Sequence, residues 1–405
     1  MTPVHETAAA PVAAVAPGDP SPPSLADVAA EAGLRRLQVV AWRDLEDPEA
    51  GGSELHAAMV AASWAAAGID VTVRTSSFEP WPVDIRRDGY RVIRKSGRYL
   101  VFPRTAVSGG MRRAGRRDGL VEIWNGMPFM SPLWAHCPRT VFLHHVHAEM
   151  WKMVLPPRLA RLGQLVEFRL APPLYRRTPI VTLSESSRRE IVDRLGLPAE
   201  NVSVVAPGVD SRFVPGPGPR CEHPLVVAVG RLVPVKRFDV LIDALVALRR
   251  THPTLQAVIV GEGYERPALE ARVAAAGASD WLTLPGRVDD DALVGLYRRA
   301  WVVASASARE GWGMTITEAA ACGTPAVATD IAGHRDAVVD GATGLLATSP
   351  AQLVAHLDAV IANPLLRRRL GRAARQQAAR FTWEATARGT LQVLAAEALR
   401  RRHTG

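Results

Sequence analysis

The chain has 405 residues, 48% of them hydrophobic and 22% charged, with a formal net charge of +9 at pH 7 and a pI near 10.1. That length exceeds one ordinary domain and that apolar content fills large cores, so a wholly disordered chain is excluded and two domains are expected. Cys137, Cys221 and Cys322 are too few and too scattered for a disulfide framework or a Cys-x-x-Cys metal pair, which points to a reducing, cytoplasmic setting.

Residues 1–33 are rich in Ala and Pro, lack a basic start and are broken by Pro11, Pro17, Pro20, Pro22 and Pro23. They read as a disordered tail rather than a signal peptide. A first domain, 34–214, opens on a strand at Leu37–Trp42. The loop R-D-L-E-D-P-E-A-G-G follows, then a helix from about Ser53 to Ala67 with Ser53 as N-cap, and a strand at Ile69–Thr75. Gly51 and Gly52 stand directly before that helix, where bare backbone can approach a phosphate. Further strands are expected at Arg91–Ile93, Tyr99–Phe102, Val121–Trp124, Thr140–Leu143 and Val202–Val205. Helices are expected at about Pro157–Leu170 and Ser187–Leu195, the latter opening on the capping-box pattern of Ser187 and Glu190. The strand at Thr140–Leu143 runs into H-H-V-H, His144–His147.

Pro215–Pro219, P-G-P-G-P, is the clearest linker and marks a domain boundary. The second domain, 215–380, starts on a strand at Leu225–Val229 and the segment G-R-L-V-P-V-K, then a helix at about Arg237–Arg250. A strand at Leu255–Val260, a helix near Glu265–Ala276 and a strand at Trp281–Leu284 come next. Asp289 caps a helix running to about Arg299, and strands at Trp301–Ser305, Pro325–Thr329 and Gly344–Leu346 complete the set. Residues 381–405 form a final helix expected to pack back on the first domain. Such alternation means α/β architecture, with two doubly wound parallel sheets.

Between the last-named strands, Ala308–Gly323 reads A-R-E-G-W-G-M-T-I-T-E-A-A-A-C-G, with Glu310 and Glu318 eight positions apart. Glu310 sits in a glycine-flanked loop before a helix. Glu318 has two readings, as the carboxylate of a capping box begun by Thr315 or as an acceptor for two ribose hydroxyls. Arg231 and Lys236 follow the first strand of their sheet at its carboxyl end, where ligands of such sheets bind. Arg grips oxygen pairs in a fork and Lys acts as a compact charge, so the two suit a diphosphate. Neither the His triplet nor Asp289–Asp291 has the mixed partners of a metal site, and none is expected.

Together these segments resemble glycosyltransferase family 4, retaining glycosyltransferases with two Rossmann-like domains facing a cleft, the GT-B fold. The resemblance runs from about Leu37 to Arg380. It implies that Arg231 and Lys236 bind the donor diphosphate and stabilise the leaving nucleotide. Glu310 would bind the sugar hydroxyls with the backbone of Gly311, Trp312, Gly313, Met314 and Thr315, and Glu318 the ribose. The backbone of Gly286, Arg287 and Val288 would meet the base, and Gly51 and Gly52 would close on the donor from the first domain. His144 corresponds to the family's histidine beside the reacting sugar, with His145 and His147 as alternatives in register. The implied reaction is front-face substitution needing no metal or cofactor, with a nucleoside diphosphate sugar as co-substrate. Trp312 replaces a commoner Phe, and A-G-H-R-D at Ala332–Asp336 departs from the usual G-G-x-x-E.

Two other functions fit parts of the chain. A nucleotide-sugar epimerase would share the fold but needs acid–base groups at the sugar's C2. A basic nucleic-acid or anionic-membrane binder is suggested by Arg86–Arg117, with ten Arg and one Lys against Asp88, and by Lys152–Arg177, whose only acid is Glu167. No nucleic-acid motif accompanies the charge, so the expected partners are a nucleotide sugar, an acceptor and, peripherally, an anionic membrane.

Overall fold

Short runs of Val, Ile, Leu and Ala become parallel strands here because helices cover both faces of each sheet, leaving no polar side to solvate. The computed structural model describes residues 23–77, 81–111 and 115–404. In the first domain the strands are β1 (Arg36–Val40), β2 (Asp70–Thr75), β3 (Asp84–Arg87), β4 (Tyr90–Arg94), β5 (Gly119–Ile123), β6 (Arg139–Phe142), β7 (Ile180–Thr182) and β8 (Val202–Val204). Their order is β3-β4-β2-β1-β5-β6-β7-β8, parallel except between β3 and β4. The second sheet holds β9 (Leu225–Val229), β10 (Gln256–Val260), β11 (Leu282–Gly286), β12 (Val302–Ser305), β13 (Ala326–Thr329) and β14 (Gly344–Ala347). It runs β11-β10-β9-β12-β13-β14 and is wholly parallel. Winding outward in both directions from β9 and β12 is the dinucleotide-fold order, and it opens a crevice at their carboxyl ends.

The chain crosses between domains twice, and the crossings run side by side. Val209 bridges Thr382, and the Val209 amide donates to the Phe381 carbonyl at 3.0 Å. Beyond that point the helix Trp383–Thr404 returns to the first domain. Leu391 and Leu394 are fully buried against the helix Gly52–Ala66, and the Trp64 indole donates to the Ala387 carbonyl at 2.9 Å. Burial on that scale contributes roughly 1.5–3 kcal/mol per leucine, enough to anchor the helix.

Several local expectations change. The first 22 residues of the expected disordered tail lie outside the described residues, but Leu25–Glu31 is a helix. It is capped by Ser24 and packed on the C-terminal helix through Val28 and Ala29. Tyr99–Phe102 is no strand: a helix runs Val101–Gly110 and buries Val101, Thr105 and Gly109, a spacing that four apolar residues could not reveal. Ser184, not Ser187, caps Glu185–Leu195, its hydroxyl accepting from the Ser187 amide at 3.1 Å. Strands β3 and β7 fall in segments too short or too charged to carry a periodic signal.

The acidic loop after β1 accounts for much of the arginine-rich run Arg86–Arg117. Arg94 is completely buried and binds Asp44 through Nη2 at 2.6 Å, with Glu46 on the same nitrogen. Arg87 reaches Glu46 at 2.8 Å, Arg98 reaches Glu49 at 2.9 Å, and Arg91 pairs with Asp84. Arg117 donates to Gln38 at 2.9 Å. Five arginines of the run thus serve the domain's own acids and amides. Arg94→Ala leaves buried Asp44 with only the more distant Arg87, at 3.4 Å, and should cost about 3–5 kcal/mol, read from urea denaturation. Arg91→Ala breaks an exposed pair and should cost under about 1 kcal/mol. Equal costs would show that Arg94 does not organise the loop.

Candidate active site

The site begins at the strand-order reversal of the second sheet. Arg231 leaves the end of β9, and a 3-10 turn at Pro234–Lys236 carries Lys236 back over it. Glu310 leaves the neighbouring strand β12. Lys236 Nζ meets Glu310 Oε1 at 2.5 Å, and the Ser307 hydroxyl donates to the same oxygen at 2.8 Å. Burial alone would raise the Glu310 carboxyl. The charges of Lys236 and His334 and the two hydrogen bonds outweigh it, holding the group below its ordinary range.

The unusual A-G-H-R-D segment supports this glutamate. A side chain at Gly333 would lie 2.4 Å from the Glu310 carbonyl oxygen and 2.9 Å from the Trp312 amide, so only glycine lets the two loops touch. His334 is buried beneath, its Nδ1 2.8 Å from the Thr329 carbonyl and its Nε2 3.3 Å from Ser305 Oγ. Asp336 then bonds the Ser186 hydroxyl of the first domain. Gly333 and His334 stood out in the sequence only as part of the A-G-H-R-D departure, and Ser307 did not, although Ser307 and Glu310 share the S-x-x-E spacing that usually signals a cap.

The helix after the loop removes one of the two readings of Glu318. It spans Met314–Ala321, and its N-cap is Gly313 at φ 119°, in the left-handed region that glycine favours. Thr315 is already inside the first turn, so the expected capping box does not form. Glu318 instead accepts from the Tyr297 hydroxyl at 3.0 Å. Burial pushes its carboxyl up to about 7. The Tyr297 hydrogen bond opposes this, and Asp210 and Asp290 reinforce it. The Trp312 side chain is core, set edge-on to Phe381 at 5.1 Å and clustered with Leu183 and Ile316. Only its backbone remains for a ligand. Gly286 ends β11, Val288 is half-buried, and exposed Arg287 reaches the Pro48 carbonyl of the first domain at 3.5 Å.

The first domain closes the site from the other side. Gly51, not Ser53, is the N-cap of its helix, and Glu54 accepts the Gly51 amide and the Ser53 hydroxyl, each at 2.8 Å. Gly51 lies against Arg231 and Gly52 against Met314, while Arg231 donates to the Glu49 carbonyl at 3.4 Å. The three histidines that the sequence left open differ in surroundings. His144 Nε2 lies 3.2 Å from Nδ1 of the fully buried His56, and burial lowers His144 to about 4, leaving a neutral ring at pH 7. Its carbonyl faces Gly311. His145 stacks on His147 at 5.1 Å with Nδ1 toward Gly311, and burial, reinforced by Arg309, lowers His147 to about 4. Among the described residues no three His, Cys, Asp or Glu groups are placed to hold a metal ion.

The raised Glu318 carboxyl makes a signed prediction. Between pH 4.5 and about 7 the folded chain keeps a proton that the unfolded chain has lost, so this group's contribution to stability falls as pH rises through that window. Glu318→Gln should match the wild type at pH 5 and exceed it at pH 8 by on the order of 1–3 kcal/mol. Urea midpoints at the two pH values check this, and identical pH profiles would mean that the carboxyl ionises normally.

Residues 50–213 match the family model described as Glycosyltransferase Family 4, and residues 215–377 match Glycosyl transferases group 1. D-inositol 3-phosphate glycosyltransferase of Frankia alni is 36% identical over 235 residues, covering 53% of this chain and 58% of that enzyme. Its counterpart in Salinispora arenicola is 36% identical over 241 residues, covering 53% and 54%. The chain thus spans little more than half the length of these relatives. Sucrose-phosphate synthase of Thermosynechococcus elongatus gives a TM-score of 0.76 at 20% identity, covering 91% of this chain and 99% of that one. Anabaena HepE in complex with UDP and glucose gives 0.68 at 18%, covering 91% and 100%. Identities that low establish a common fold and no more. With one family model on each domain and both sheets wound about facing crevices, the chain belongs to glycosyltransferase family 4, on the GT-B fold.

Proposed function

We propose that the protein is a retaining, metal-independent glycosyltransferase that moves a hexose from a UDP- or GDP-linked sugar to an acceptor hydroxyl. The observation that carries this is the Lys236–Glu310 pair at the second sheet's crevice, facing the Gly51–Gly52 loop with Arg231 between them. A diphosphate entering there meets Arg231 and Lys236, which stabilise the charge that grows on the departing nucleotide. Glu310, held ionised, accepts hydroxyls of the sugar. Its carboxylate is tied to Lys236 and Ser307, which suits holding a substrate better than attacking one. Retention by front-face substitution then rests on positioning and charge stabilisation rather than on a protein nucleophile. Glu318 would take the ribose hydroxyls as it ionises.

The acceptor is proposed to carry a phosphate. Arg309 and Arg43 lie near His147 on the acceptor side, Arg309 paired with Glu190 and Arg43 with Glu49 and Glu54, so a phosphate there would compete with these acids for their guanidinium groups. The relatives named above act, by name, on D-inositol 3-phosphate. UDP or GDP should raise the melting temperature of the wild type and not of Glu318→Ala. Lys236→Ala and Glu310→Ala should each lower kcat/KM for donor turnover by roughly 100-fold or more. Equal donor turnover by wild type and Glu310→Ala would overturn the site assignment. Proton NMR of the product should show the donor's anomeric configuration, and inversion would reject the front-face route.

A further inference from the structure

The second basic stretch has a different character from the first. The helix Pro157–Leu165 passes into a π-helical turn, Val166–Leu170, and then into the helix Ala171–Tyr175. Ala160, Gly163 and Glu167 point inward, whereas Leu159, Leu162, Leu165 and Leu170 stand 48–52% exposed. Spaced by three, the first three leucines share one helix face with exposed Arg158 and Arg161. Lys152, Arg169, Arg176 and Arg177 are exposed around them.

Unlike Arg87, Arg94 and Arg98, none of these six cations has a carboxylate partner among the described residues. Glu167, the one acid of the stretch, is buried and accepts from the His147 amide at 2.6 Å, the Ala148 amide at 3.0 Å and the Trp151 indole at 2.8 Å. The surface therefore offers leucines ringed by uncompensated positive charge. Among the described residues no helix is long and apolar enough to cross a membrane.

We propose that this face docks on an anionic lipid bilayer, the leucines entering the acyl boundary and the cations meeting headgroup phosphates. A second copy of the chain is the poorer occupant, because a two-fold contact would set six positive charges against the same six. Nucleic acid would use the cations but leave the aliphatic leucines, which offer no stacking surface, without a role. The same elements reach the cleft. Glu167 holds the loop that carries His147, Trp151 packs on Gly163, and Met150–Val154 lies against the turn that bears Lys236. Docking here would bring a phosphorylated headgroup to the acceptor side. That last step rests on the proposed function, whereas attachment itself does not.

Flotation of the full chain with phosphatidylcholine vesicles, with and without phosphatidylglycerol, tests the proposal. Binding should favour the anionic vesicles by about tenfold or more and weaken with salt. Leu162→Ser/Leu165→Ser and Arg158→Gln/Arg161→Gln should each lower it by about tenfold, with thermal melting and lipid-free donor turnover unchanged. Equal binding to neutral and anionic vesicles would overturn the proposal, as would undiminished binding by the leucine variant. So would a lipid-free dimer that the leucine variant abolishes. Donor turnover without vesicle binding would reject the docking face alone and leave the transferase function standing.

Discussion

An ion pair between residues 74 positions apart, Lys236 and Glu310, is the contact on which the rest of the site depends. It exists because β9 and β12 are neighbours whose connections leave in opposite directions, so the loops at their carboxyl ends face each other across a gap. Burying Glu310 without Lys236 would leave a charge in a poorly solvated crevice, a cost of several kcal/mol. The supports follow from that need. Ser307 takes up a second bond, and Gly333 lets the next loop press against the Glu310 backbone.

The first domain meets this crevice with backbone and neutral rings more than with charge. Its glycine pair approaches Arg231 and Met314, and burial keeps His144 and His147 uncharged at neutral pH. A neutral imidazole can accept or donate a hydrogen bond without adding charge to the cleft. His56 behind His144 fixes where one ring nitrogen points. Arg94, Arg87 and Arg98 meanwhile hold the acidic loop that carries Gly51 and Gly52 toward the donor side. Two arginine-rich stretches therefore differ physically: in the first, Arg87, Arg91, Arg94 and Arg98 are held by the domain's own acids, and in the second, among the described residues, the cations have no carboxylate partner.

The parallel strands were legible because their apolar runs are bounded by glycine and proline, and β9 and the helix ending at Arg299 fall where the pattern puts them. Asp289 caps that helix, as its spacing implies, accepting from the Ala292 amide at 2.7 Å. Legibility failed where a residue's role depends on which partner arrives. Ser53 and Ser187 each sit two or three positions after the true N-cap, because a hydroxyl near a helix start can bond several groups. Thr315 and Glu318 have the spacing of a capping box, yet Gly313 starts the helix and frees the carboxyl for Tyr297.

By itself the sequence determined the α/β class and the residue types that a phosphate and a sugar require, because these follow from periodicity and chemical identity along the chain. Tertiary structure alone decided which of those residues meet. It turned Trp312 into the core, put His334 and Gly333 beneath Glu310, and paired Glu318 with Tyr297. It also separated the arginines held by acids from those left open. Burial and pairing are properties of residues distant in sequence, and no local pattern carries them.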